Sequence, residues 1–126
     1  MKEFKLNQTY FKALVTIKAL NDLHYYPLNE GIYKILVGIV DEDTKQFVDL
    51  DSFGTLISFT SKKVCRLTMM LYRYGYIGRV FDTKTKELYF SLTDKGYKVT
   101  EQFLKKHKKP FARRSKNSSP TIVKID

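Results

Sequence analysis

Cysteine, tryptophan and long apolar runs are scarce or missing here, and each shortage excludes something. The single cysteine, Cys65, cannot close an internal disulfide. That excludes the disulfide-stapled secreted scaffolds and points to a reducing compartment. No apolar run approaches the ~18 residues of a membrane-spanning helix. Residues 1–8 lack the apolar core of a secretory signal, so a cytoplasmic protein is expected, nucleoid-associated if bacterial. The six glycines form no phosphate-cradling loop. The two histidines, His24 and His107, fall in different segments without a second ligand in register, and a metal site needs three or four. Asp41, Glu42, Asp43, Asp49 and Asp51 have no histidine or glycine-loop context for catalysis and suit loop solvation and helix capping. We therefore expect no enzyme, no cofactor and no metal.

Aromatic bulk and positive charge are what the chain has. Nine phenylalanines and nine tyrosines supply core for one domain, 1–108, followed by a basic, flexible tail, 109–126. The net charge of +10 is unevenly placed. Residues 61–86 carry seven Lys/Arg against one Asp, and residues 105–126 carry eight against one. The rest of the chain holds eight basic and eleven acidic residues. Solubilising charge would be spread over all elements. Confined charge implies a polyanion with a defined footprint.

Taken in order, Asn7–Leu23 is expected to be helical. Phe11, Leu14, Ile17 and Leu20 (or Val15) recur at helical spacing. Pro27 resists helix in the residue before it, and Asn29 then caps a second helix whose buried face is Ile32, Ile35, Leu36 and Ile39. Asp41–Asp43 ends it, with Gly38 an interior weak point that would suit a close helix contact. A short strand at 45–48 would pair with a later ribbon. Asp49 can cap a further helix, with Phe53 and Ile57 on one face. Gly54 within it costs about 1 kcal/mol relative to alanine, tolerable if another helix crosses there. Ser58-Phe59-Thr60 makes a tight turn. From Ser61, the residues Val64, Leu67, Leu71 and Tyr74 step by three, four and three, the period of a helix with one buried face. Gly75 provides a left-handed C-cap. Residues 76–81 and 88–92 flank the polar turn 82–87 as a hairpin. Thr93 or Asp94 caps a last helix with the stripe Gly96, Val99 or Thr100, Phe103 and His107.

Two short helices, a tight turn between them and a two-stranded ribbon make a winged helix-turn-helix. The fold class is α+β, mainly helical, with a two- or three-stranded wing and flanking N- and C-terminal helices. The first turns of such a second helix meet base edges in the major groove. Its outward residues here are Ser61, Lys62, Lys63, Cys65 and Arg66. Lys62 and Arg66 share a face. Thr60 and Ser61, with the helix N-terminus behind them, suit a phosphate. For any one cation a phosphate contact outnumbers a base contact. Arg79, Lys84 and Lys86 arm the wing for the backbone or the minor groove. Cys65 beside Lys62 and Arg66 could be a redox switch, but small polar residues are ordinary at such positions. Tyr25, Tyr26, Tyr72, Tyr74 and Tyr76 could stack on single-stranded bases, though burial against the wing explains them more simply.

Residues 48–103 resemble the MarR-type winged-helix regulators. Leu50 to Ile57 is similar to their first motif helix. Thr60-Ser61-Lys62-Lys63-Val64-Cys65-Arg66-Leu67 is similar to their recognition helix. Leu71, Gly75 and Ile77, then Leu92-Thr93-Asp94-Lys95-Gly96, match the marks around their wing. The resemblance implies a homodimer through helices 7–23 and 93–108, with two recognition helices on one palindrome. The wing tip departs from it, since Asp82-Thr83-Lys84-Thr85-Lys86 stands where the family usually carries an Asp-Arg pair. The expected function is sequence-specific binding of double-stranded DNA as a transcriptional regulator. An origin-binding accessory protein of plasmid or phage replication or DNA transfer is the alternative. A winged-helix protein-interaction module is a further alternative, which the charge map disfavours.

Overall fold

The first helix is the hub. In the structure, a computed structural model that describes residues 4–107, α1 (Gln8–Asp22) buries Ala13, Leu14 and Ile17 against every other layer. Asn7 caps it by accepting the Tyr10 N–H at 3.0 Å, which ties down an otherwise orphaned donor of the first turn. Three further helices follow, α2 (Asn29–Val37), α3 (Ser61–Arg73) and α4 (Asp94–Lys106). Between α3 and α4 lies an antiparallel hairpin, β1 (Ile77–Asp82) and β2 (Glu87–Leu92), in register from Ile77 opposite Leu92 to Asp82 opposite Glu87. The expected class, α+β and mainly helical with a winged-helix-like order of elements, is the one observed. The wing has two strands.

One core joins these elements. Leu14 and Ile17 of α1 meet Ile32 and Leu36 of α2, Val64, Leu67 and Leu71 of α3, and Ile77 and Phe90 of the hairpin. A satellite cluster joins Val15 and Phe11 to Phe103, the two phenylalanine rings stacked at 4.1 Å. The stripes of α1 and α4 therefore meet each other within one subunit. No helix of the described residues is long and apolar enough to cross a membrane. The tail expected at 109–126 lies outside the described residues.

The segment between α2 and α3 departs from expectation. Residues 45–47 form a 3-10 turn rather than a strand, and 51–58 are consecutive turns rather than a helix. The cause is tertiary hydrogen bonding. Helix α2 stops at Val37, because Gly38 takes φ +86 and closes it, rather than running on to Asp41. Its end carbonyls are then taken by the following segment. Gly54 N–H donates to Ile35 O and Leu56 N–H to Leu36 O, both at 2.8 Å. Buried Ser52 bonds the buried Thr16 hydroxyl of α1, and Lys12 Nζ reaches Thr55 O at 3.3 Å. Gly54 sits at φ +72, a conformation a helix interior cannot hold. It faces Gly38 rather than α3, since a Cβ on Gly38 would lie 3.2 Å from the Gly54 Cα.

The expected buried positions shift with it. Leu56 is buried, while Ile57, assigned to a buried face, is 77% exposed. Ile39 and Tyr74 are also exposed. Asp49 caps no helix, and there is no tight helix–helix turn at Ser58-Phe59-Thr60. Asn29 is not the cap of α2 either. Leu28 holds that position, and the Asn29 Oδ1 accepts from Thr68 Oγ1 of α3 at 2.8 Å, tying the two helices together.

Candidate nucleic-acid interface

Helix α3 is held rigidly at both ends. Thr60 caps its start by accepting the Lys63 N–H at 3.2 Å. At its end Gly75, φ +83, lets the Tyr76 N–H reach Leu71 O at 2.9 Å and its own N–H reach Tyr72 O at 3.1 Å. This is the paired bonding that closes helices at a left-handed glycine. Val64, Leu67, Thr68 and Leu71 are buried, which fixes the helix about its own axis. Thr60, Ser61, Lys62, Lys63, Cys65 and Arg66 are all exposed, as the sequence spacing required.

The exposed stripe runs further than expected. Continuing from Lys62 and Arg66 by three and four residues reaches Met69 and Arg73, and both are exposed. The same periodicity that singled out the first pair contained the second. Lys62, Arg66 and Arg73 make no ion pair among the described residues. Lys63 Nζ sits 5.5 Å from the centre of the Phe59 ring.

The wing divides into two parts. Arg79 is drawn back onto α3, its guanidinium carbon 4.1 Å from the Tyr72 ring centre, so its charge belongs to the helix surface. Tyr72 is thereby covered from the wing side, while Tyr74 stacks at 4.2 Å on Phe4 of the N-terminal arm. Lys84 and Lys86 stand apart at the tip, exposed and without an ion pair among the described residues. Their turn is organised by Asp82. Its side chain accepts the Lys84 N–H at 2.8 Å and its carbonyl the Lys86 N–H at 2.7 Å. Lys86 takes φ +62 to complete the turn.

The junction of wing and α4 is also rigid. Thr93 Oγ1 donates to Gly75 O at 2.6 Å and accepts the Gly96 N–H at 3.0 Å, capping α4 while binding it to the end of α3. Gly96 is required by contact, since a Cβ there would fall 1.9 Å from Tyr76 O. The Leu92–Gly96 stretch noted in the sequence is thus a splice between α3, the wing and the last helix.

Charge on α2 and the loop that follows it is neutralised within the protein. Lys34 Nζ of α2 lies 2.7 Å from Asp41, 3.6 Å from Glu30 and 3.9 Å from Asp43, and Lys45 lies 3.0 Å from Glu42. The hydrogen bond from Lys34 holds the Asp41 carboxyl below the usual carboxylate range, and Asp41 in turn holds the Lys34 ammonium above its ordinary value. On the far side of the hairpin a groove of about 980 Å3 lies between the ribbon, the end of α1 and residues 24–26. It is bordered by Tyr25, Tyr26, Tyr89 and Tyr97 and carries Asp22 and Asp82 but no lysine or arginine.

These elements define a winged-helix-like body with a rigid, basic α3 and a basic-tipped ribbon. No family model matches the chain, and no curated protein matches it. Among solved structures it is similar to one described as a type III plasmid segregation TubR, at 16% identity over 84% of this chain and 93% of that one, with a TM-score of 0.36. A likeness that loose carries no argument about this chain.

Proposed function

We propose that this protein binds double-stranded DNA in a sequence-specific manner, with the N-terminal half of α3 in the major groove and the wing at the adjacent backbone or minor groove. The supporting observation is the contrast in pairing. Cations on α2 and its following loop are met by carboxylates of the chain, whereas Lys62, Arg66, Arg73, Lys84 and Lys86 are exposed without an ion pair among the described residues. A helix is the element that fits the major groove, and arginine is the commonest reader of guanine there. Lys62 and Arg66 take the base edges, and Lys63, Thr60 and Ser61 the phosphates. The protein carries no catalytic function in this reading.

A transcriptional regulator is the role we favour, with an origin or DNA-transfer accessory protein as the alternative. These differ in where the bound sequences lie, so mapping bound sites across the native genome separates them. A second subunit, paired across the outer surfaces of helices 7–23 and 93–108, would present two α3 helices to one palindrome. A shallow depression there, floored by Leu6, Phe11, Val99 and Phe103, supports it. Selection from a random duplex pool tests the whole reading. Enrichment of one motif that Lys62→Ala/Arg66→Ala no longer enriches is expected, and indifference of the motif to that change would refute it.

A further inference from the structure

The hairpin is apolar where it leaves the body. Ile77 and Phe90 are buried in the core, but one step outward Val80 is 56% exposed, Phe81 54% and Leu88 43%. Side chains alternate between the faces of a strand. Phe81 and Leu88, directly opposite in register, therefore share one face, and Val80 and Tyr89 share the other. Beyond them the turn presents Lys84 and Lys86. The Asp82 carboxylate is occupied by the turn's own Lys84 and Thr85 N–H groups, which leaves Glu87 the one acid of the ribbon not so engaged.

This distribution separates two ways of meeting DNA. A ribbon lying along phosphates needs cations on one face and nothing apolar on either. A ribbon tipped with lysine and apolar on both faces suits a cleft with anionic lips and apolar walls. The minor groove is such a cleft, with phosphates at its rim, sugars on its sides and base steps at its floor. At about 6 Å wide it must open to admit two strands about 4.8 Å apart. We propose that the wing enters the minor groove and that Phe81 with Leu88 wedges against a base step, unstacking it and bending the duplex. This rests on the DNA-binding reading of α3. Apolar wedges of this kind kink DNA by about 20–90° toward the major groove.

The test is ligase-catalysed ring closure of a mixed-sequence duplex of about 150 base pairs, one persistence length, with binding measured on the same DNA. The wild-type protein should raise the closure rate roughly tenfold, as kinking proteins do when they bring duplex ends together. Phe81→Ala/Leu88→Ala should still bind, with its salt dependence intact, yet lose that gain. Both side chains are largely exposed, so the variant should keep its helical circular dichroism. If it does not, Phe81→Ala alone serves the same reading. Lys84→Ala/Lys86→Ala should weaken binding while bound duplexes still close faster. Wild-type binding without faster closure would overturn the proposal, as would equal closure by the double variant. A change of mass in sedimentation on Phe81→Ala/Leu88→Ala would also overturn it, marking the patch as a subunit contact. If the wild type binds no duplex at all, the DNA-binding reading falls first and this inference with it.

Discussion

Lys34 and Arg66 are cations on helices that pack together, and they differ in their surroundings. Lys34 is enclosed by Glu30, Asp41 and Asp43, and its side chain is only 20% exposed. Arg66, on α3, stands in the open with Lys62 one turn before it and no carboxylate in contact. The first stabilises the fold locally. The second makes no ion pair among the described residues, and the proposed contact with DNA would give it a partner. Net charge alone does not make that distinction, because both residues count equally toward +10.

The largest effect should come from removing the open cations. Lys62→Ala/Arg66→Ala should lower affinity for the selected site about a hundredfold, taking ~1–3 kcal/mol per specific contact, with the melting temperature unchanged. Loss of stability without loss of binding would break the contrast. Fluorescence anisotropy and thermal melting of the same preparations decide it.

Next is the segment that links the two regions. Were residues 49–57 helical, Gly54→Ala would stabilise the protein by about 1 kcal/mol. With Gly54 at φ +72 and bonded to the end of α2, it should instead destabilise by about 1–2 kcal/mol, the cost of a left-handed conformation for a residue with a Cβ. The sign of the change in a urea titration distinguishes the two structures.

That segment also marks where the sequence stopped being readable. Helices α1 and α3 were legible because one face of each is buried along its whole length, so the period survives in the residues. The caps Thr93, offered beside Asp94, and Gly75 were legible because their chemistry is local, whereas Asn7 was read into the first helix rather than as its cap. The hairpin followed from two apolar runs around a polar turn. Residues 45–58 were not legible. Phe53 and Ile57 mimic a helical pair, but Ser52 and Gly54 are held by α1 and α2, elements more than 15 residues earlier in the chain. Gly54 and Gly38 were recognisable as points of close approach, yet nothing local said that they approach each other. On the exposed face of α3, Lys62 and Arg66 were visible, while Met69 and Arg73 were passed over although they continue the same stripe. The apolar rung of Phe81 and Leu88 could not be told from core, because alternation gives the face of a side chain and not how far the ribbon extends past the body.

The smallest effects should lie at the paired end. The Asp41 carboxyl is held low by Lys34, so its contribution is complete above the ordinary carboxylate range and is lost as pH falls through the lowered value. Lys34 is held high, so its contribution is complete below the ordinary lysine range and is lost as pH rises through the raised value. Asp41→Asn should therefore flatten the acid limb of the melting-temperature profile slightly and leave DNA affinity at neutral pH as it was. A matching fall in affinity would mean that this end also touches DNA.

The most direct test is the slope of log affinity against log salt for the wild type and for Lys63→Ala, the cation of α3 assigned to a phosphate, on one selected duplex. Each neutralised phosphate contributes about −0.9 to that slope, so a steep wild-type dependence, shallower by roughly one in the variant, is predicted. Coincident slopes, or a wild-type affinity indifferent to salt, would contradict the claim that the open face of α3 exists to meet a polyanion.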